Sequence, residues 1–160
     1  MIAAAVGLSG RMAAAQAPSP PATTPPPAPA VGDVVPPFQA EALDGTIKHI
    51  AFPTGSRTIL LFFLSGCPTC HKMIPEWNRA FERRPKGLEV VGIMLDKEPP
   101  GFFMATPIAF PVLRSPGPDF ARKLNVNKVP ASLRVVAGGR VEDVGTGLLD
   151  PIRLGEIFRP

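Results

Sequence analysis

The only two thiols in the chain, Cys67 and Cys70, are three residues apart within TILLFFLSGCPTCHKMIPEW, the stretch from Thr58 to Trp77. A pair at this spacing suits thiol–disulfide exchange. One sulfur attacks a disulfide, and the other is near enough to close a bridge with it or to resolve the mixed disulfide. The surroundings decide whether such a pair is reactive. Ahead of it lies an apolar run rich in strand formers and too short to span a membrane, the pattern of a strand buried on both faces. Ser65 and Gly66 break that run. From Cys70 onward, Met73, Ile74, Trp77 and Phe81 recur at helical spacing, while Lys72, Glu76, Arg79 and Arg83 take the opposite face. The pair therefore falls in the first turn of a helix, where unpartnered N–H groups and the positive end of the macrodipole face it. A thiolate so placed is stabilised and more of it is nucleophilic near neutral pH. Pro68 suits the first helical position, where no N–H is needed. An inert disulfide locking a turn is the bland alternative, but so small a loop constrains the unfolded chain little.

Other chemistries available to these residues are weaker. His71 completes CPTCH, which formally matches the attachment signature of a c-type haem protein, with Met73 and Met104 as possible second ligands. Against haem, the motif follows a strand and heads a helix in a strand–helix–strand frame, and methionine commonly just fills a core. Otherwise His71 is a surface residue of the first turn. Zinc fails on ligand count, so no metal is expected. Lys72 is read as an exposed lysine, and Trp77 and Phe81 as core.

The 160 residues suffice for one domain with a real core, and two cysteines exclude a disulfide-stapled scaffold. The formal net charge of +4 is spread rather than clustered. Its one local run, Arg83-Arg84 with Lys86, reads as a solvated helix end, and no nucleic-acid partner is expected. No run of about 18 apolar residues exists to form a membrane-spanning helix.

Three segments follow. Residues 1–17, apolar and Ala-rich and ending Ala15-Gln16-Ala17, resemble an export signal or a truncated one, although Arg11 interrupts the run. Residues 18–33 are a Pro-rich spacer, expected to be extended and disordered and to act as a tether. Residues 34–160 form the folded domain. Within it, Phe38 to Ala42 and Thr46 to Ile50 read as a hairpin about Asp44-Gly45. Leu88 to Leu95 is a second buried strand, parallel to the first through a right-handed crossover. Phe102 to Ala105 reads as one short turn, Phe110 to Leu113 as a short extended piece and Pro118 to Leu124 as a helix. Ala131 to Val136 is a strand, Ala137-Gly138-Gly139-Arg140 a hairpin turn, and Arg140 to Val144 the returning strand. Asp150 caps a last helix that opens with Pro151.

In this order the landmarks resemble the thioredoxin superfamily, and within it the exported redoxins similar to TlpA- and ResA-type thiol–disulfide oxidoreductases. The carriers are VGDVVPPFQAEALDGTIKHI as the added N-terminal β-hairpin, CPTC after an apolar strand, Pro75 in the helix, Val129-Pro130 and the AGGR turn. FFLSGCPTC more loosely resembles proteins assisting methylamine dehydrogenase maturation. The resemblance, over roughly residues 34–160, implies an α/β thioredoxin-like fold with a central mixed β-sheet flanked by helices. It implies Cys67 as exposed nucleophile, Cys70 as buried resolving thiol, and Gly66, Pro68 and Thr69 as motif-flanking residues. Pro130 would be cis, bringing Val129 close for substrate pairing. The redox-active disulfide Cys67–Cys70 would need no cofactor. Client proteins with thiols or disulfides, and an electron donor or acceptor of the kind held at a membrane, would be the partners. The setting implied is periplasmic or otherwise exported, with cytochrome c maturation among the roles. A redoxin-like module that binds clients without catalysis is the other reading.

The chain departs from that pattern in three places. Ser65-Gly66 stand where a tryptophan is usual, the central strand lacks the buried acid that many members use as proton acceptor, and the region after Leu95 is Pro-rich. A peroxiredoxin is disfavoured because Leu64 stands at the threonine position. A copper chaperone is disfavoured because the only other histidine, His49, is upstream.

Overall fold

The computed structural model describes residues 28–159. The export-like segment 1–17, and the spacer as far as residue 27, lie outside the described residues.

Apolar β3 (Arg57–Phe63) is buried from Thr58 onward and forms the middle of a five-stranded sheet. It pairs in parallel with β4 (Leu88–Met94), which pairs in parallel with β5 (Val112–Arg114). On its other side it pairs antiparallel with β6 (Ala131–Val136), which carries the antiparallel edge strand β7 (Val141–Thr146). The order β5-β4-β3-β6-β7 is a mixed sheet, as expected. Successive side chains of a strand point to opposite faces, and β3 divides accordingly. Ile59, Leu61 and Phe63 pack with Met73, Ile74 and Trp77 of helix α1 (Pro68–Glu82) and with Leu154 and Ile157 of helix α4 (Pro151–Ile157). Leu60 and Phe62 pack on the other face with Val35, Ala40, Phe52, Leu124 and Val126.

The N-terminal hairpin is a separate sheet of β1 (Phe38–Glu41) and β2 (Ile47–Ile50), with Gly45 at φ 83° in its turn. It is joined to the main sheet by a bridge from Ala42 to Leu113. Two short helices complete the chain, α2 (Phe102–Ala105) and α3 (Pro118–Lys123). Phe120, within α3, packs its ring against that of Phe38, tilted by 51° with 4.6 Å between centroids, which holds the hairpin over that face. Backbone pairing reaches back into the segment expected as spacer, for Gly32 donates to the Val141 carbonyl at 2.9 Å and Val141 donates to Asp33 at 2.8 Å. The β7 edge has free donors and acceptors that this segment covers.

Phe81, expected in the core, is only half-buried. One side of its ring packs on the core, edge-on to Phe110 at 6.2 Å, and the ring also carries the Arg84 guanidinium 3.7 Å from its centroid. Trp77 is fully buried.

Candidate active site

Register places the site. Phe63 is the last residue of β3 and stands opposite Met94 in β4, while Phe62 stands opposite Ala131 in β6. The segments leaving these three strand ends therefore converge: Leu64–Gly66 running into α1, Leu95–Asp96 from β4, and Val129-Pro130 leading into β6.

Cys67 is the N-cap of α1, with extended backbone (φ −88°, ψ 112°), and Pro68 opens the helix as its first turn requires. The Cys67 sulfur accepts the Cys70 N–H at 3.2 Å, so it takes up one of the donors that a helix start leaves free. Cys67 is half-buried and Cys70 is fully buried; both thiols stand unbridged. Burial, followed by the hydrogen bond with the Cys67 thiol, pushes the Cys70 thiol up to about 12. A backbone contact at Leu64 works against this rise, while the charges of Cys67 and Asp96 add to it.

Across from the pair, the Val129–Pro130 peptide bond is cis, and the Val129 carbonyl oxygen is 4.0 Å from the Cys67 sulfur. Val129 is half-buried and Pro130 buried. Gly66 and Pro68 are exposed beside Cys67, and Thr69 is half-buried. The structure thus brings Gly66, Cys67, Pro68, Thr69, Cys70, Val129 and Pro130 to one end of the sheet.

Three residues of this site were not legible as such. Ser65, 6% exposed, is held at both ends of its peptide unit. Its N–H donates to the two carboxylate oxygens of Asp96 at 2.8 and 3.0 Å, and its hydroxyl donates to Asp96 at 2.7 Å. Its carbonyl oxygen is 2.7 Å from Nε2 of His71, which donates to it, and the His71 ring meets Phe102 of α2 edge-on at 5.8 Å. His71, read as a plain surface residue or a haem ligand, is an exposed ring that ties the first turn of α1 back to the loop before it. Met73 is fully buried in the core and Met104 is 90% exposed on α2, so the two methionines considered as haem ligands sit in unrelated places. Asp96 lies two residues beyond the end of β4, outside the central strand, and its charge adds to the rise of the Cys70 thiol. Among the described residues no group of three or more His, Cys, Asp or Glu side chains is placed to hold a metal ion.

The family profile described as Redoxin matches residues 30–150. The chain belongs to the redoxin family. Sporulation thiol-disulfide oxidoreductase A of Bacillus subtilis is 24% identical over 127 residues, covering 74% of this chain and 76% of that protein. The crystal structure of StoA from Bacillus subtilis superposes with a TM-score of 0.67 at 21% identity, covering 79% of this chain and all (100%) of the other. A Chlorobium tepidum structure described as a thiol:disulfide interchange protein DsbE gives 0.65 at 26% identity, covering 78% of this chain and 90% of the other. This redoxin is therefore homologous to thiol–disulfide oxidoreductases, and its fold is thioredoxin-like, with the two-stranded sheet added at the N-terminus.

Proposed function

We propose that this redoxin exchanges disulfides with exported client proteins, with Cys67 as nucleophile and Cys70 as resolving thiol. The carrying observation is the asymmetry of the pair: a half-exposed sulfur caps α1, and Cys70, whose thiol is buried, donates its backbone N–H to that sulfur at 3.2 Å. In the reducing direction, the Cys67 thiolate attacks a client disulfide, forming one S–S bond and expelling one client thiolate, which takes up a proton. Cys70 then loses its proton, attacks the Cys67 sulfur and expels the second client thiolate. The client gains two electrons and the protein is left with the Cys67–Cys70 disulfide.

The buried thiol supports that sequence. Two of the influences that push Cys70 up come from Cys67, namely the hydrogen bond to its thiol and its charge. Once the Cys67 sulfur is tied into a mixed disulfide it no longer carries a thiolate charge. The resolving thiol then becomes easier to deprotonate at the stage when it must react. Val129, with its carbonyl beside Cys67, is the proposed docking point for client backbone, and an electron donor or acceptor must recycle the pair. Export is proposed from the signal-like residues 1–17 and the Pro-rich tether.

The test is trapping. Purified protein carrying Cys70→Ser should accumulate a mixed disulfide with a disulfide-containing peptide, visible as an adduct in the intact mass, whereas Cys67→Ser should form none. If Cys67→Ser abolishes turnover, the module that only binds clients is rejected; unchanged turnover in that variant rejects exchange through Cys67. Equilibration in graded thiol buffers then gives the direction: about −270 mV means a reductant, as in supplying electrons for cytochrome c maturation, and about −120 mV an oxidant.

A further inference from the structure

A groove of about 500 Å³ runs between α1 and α4, at the end of α1 remote from the thiols. By helix rise, Ala80 in its floor lies about 20 Å along α1 from Cys67. Its floor includes Ala80, Leu154 and Phe158, and Arg83, Arg84 and Arg159 stand exposed on its rim. Arg79, also at the rim, is paired with Glu76, but among the described residues no carboxylate forms an ion pair with Arg83, Arg84 or Arg159. Arg84 is held in place, its guanidinium stacked on Phe81 at 3.7 Å and donating to the Phe81 carbonyl at 2.7 Å.

Gly155 bears on the groove independently. It lies inside α4 and lines the groove, and a Cβ added there would meet nothing within 4 Å. Glycine inside a helix costs about 1 kcal/mol relative to alanine. Neither a positive φ nor crowding calls for it here, so the fold does not account for it. A bare backbone at this position keeps the groove open.

We propose that this groove docks an acidic peptide segment of a partner protein. An apolar side chain of the segment sits on Ala80, Leu154 and Phe158, and its neighbouring carboxylates meet Arg83, Arg84 and Arg159. The concave floor suits a protruding side chain rather than a flat bilayer. A second copy of the chain meeting through the same face would set guanidinium against guanidinium, which opposes association. Docking here leaves Cys67 free and raises the local concentration of whatever the segment belongs to. This inference does not depend on the thiol chemistry.

The experiment pans a displayed library of random peptides, about twelve residues long, on the full chain carrying Cys67→Ser, which prevents mixed disulfides. Enriched peptides should combine Asp or Glu with Leu, Ile or Phe. A synthetic copy of the most enriched one should bind at least about tenfold more weakly to the double variant Arg83→Glu/Arg159→Glu. Gly155→Leu should weaken it as much by filling the groove, with a thermal midpoint no lower than that of the parent, since leucine favours helix. Should the double variant fail to fold, Gly155→Leu decides alone. The proposal is overturned by no enrichment, by enrichment without acidic bias, or by binding indifferent to these substitutions. It is equally overturned if phosphatidylglycerol vesicles, and no peptide, bind in an arginine-dependent way.

Discussion

The Asp96 carboxylate accepts three hydrogen bonds from Ser65, two from its N–H and one from its hydroxyl, at 2.7 to 3.0 Å. Ser65 lies two residues ahead of Cys67, so the loop that aims the Cys67 sulfur is anchored to the end of the neighbouring strand. Replacing Asp96 with alanine would leave the hydroxyl and N–H of a buried residue without an acceptor. Hydrogen bonds to a charged group contribute about 1.5–3 kcal/mol, so Asp96→Ala should lose stability of that order in urea unfolding. Ser65→Ala removes only the hydroxyl bond and should lose clearly less. Equal losses in the two variants would mean that the bonds to the Ser65 N–H carry no weight.

A second polar contact is deeper. The indole Nε1 of Trp77 donates to the Ser132 hydroxyl at 3.0 Å, with both residues fully buried, linking α1 to β6 beneath the thiols. Ser132→Ala strands the indole N–H and should cost about 1–3 kcal/mol. Trp77 is the only tryptophan, so its fluorescence follows unfolding directly. Ser132→Thr keeps a hydroxyl but adds a methyl group to a filled core, so it should recover only part of the loss. A Ser132→Ala protein as stable as the parent would show that the indole finds another acceptor.

Much of this arrangement was legible from the chain alone, for stated physical reasons. The apolar run before Cys67 and the helical recurrence of Met73, Ile74 and Trp77 are strong periodic signals, and both elements form where they fall. Asp150 followed by Pro151 marks the start of α4, and its carboxylate accepts the N–H groups of Ile152 and Arg153 at 2.9 Å. The Asp96–Ser65 anchor is not legible in either strand taken alone. It depends on register: with Phe63 opposite Met94, the residues two further along each parallel strand come side by side. Two apolar runs joined by one crossover helix, each followed by a polar residue, held that signal. The role of His71 could not be read, because its bond to the Ser65 carbonyl depends on how the loop folds back over the helix start. Phe81 continues the same helical stripe at the rim of the core, packed edge-on against Phe110 but only half-buried.

Gly139 is a position where the fold does require glycine. Its φ is +79°, and an added Cβ would come within 2.0 Å of the Val35 carbonyl oxygen. The same turn accepts the Val35 N–H through the Gly139 carbonyl at 2.8 Å. Gly139→Ala should therefore strain the backbone and push the N-terminal segment off the sheet, with a loss of about 2 kcal/mol or more. Limited proteolysis should cut this variant near Val34 faster than the parent. Gly138→Ala meets no neighbour within 4 Å and should show only the smaller cost of its own positive φ of 73°. If Gly139→Ala is no more sensitive than Gly138→Ala, the close approach to Val35 is not a constraint.

The buried Cys70 thiol makes stability depend on pH in a definite direction. Burial first, and the Cys67 thiol second, raise it from an ordinary 9.0 to about 12. Between those values the unfolded chain has released a proton that the folded chain retains, so the folded state binds more protons. Stability from this group is then complete below about pH 9 and is lost as pH rises toward about 12. Under reducing conditions, the parent should lose more stability between about pH 8 and about pH 10.5 than Cys70→Ala does, since the variant lacks the titrating thiol. Parallel losses in the two proteins would show that the thiol is not held up by the fold. Alkylation gives a second readout. At neutral pH, iodoacetamide should add one group to the folded, reduced parent, on half-exposed Cys67, and a second only after unfolding, because Cys70 is both buried and protonated.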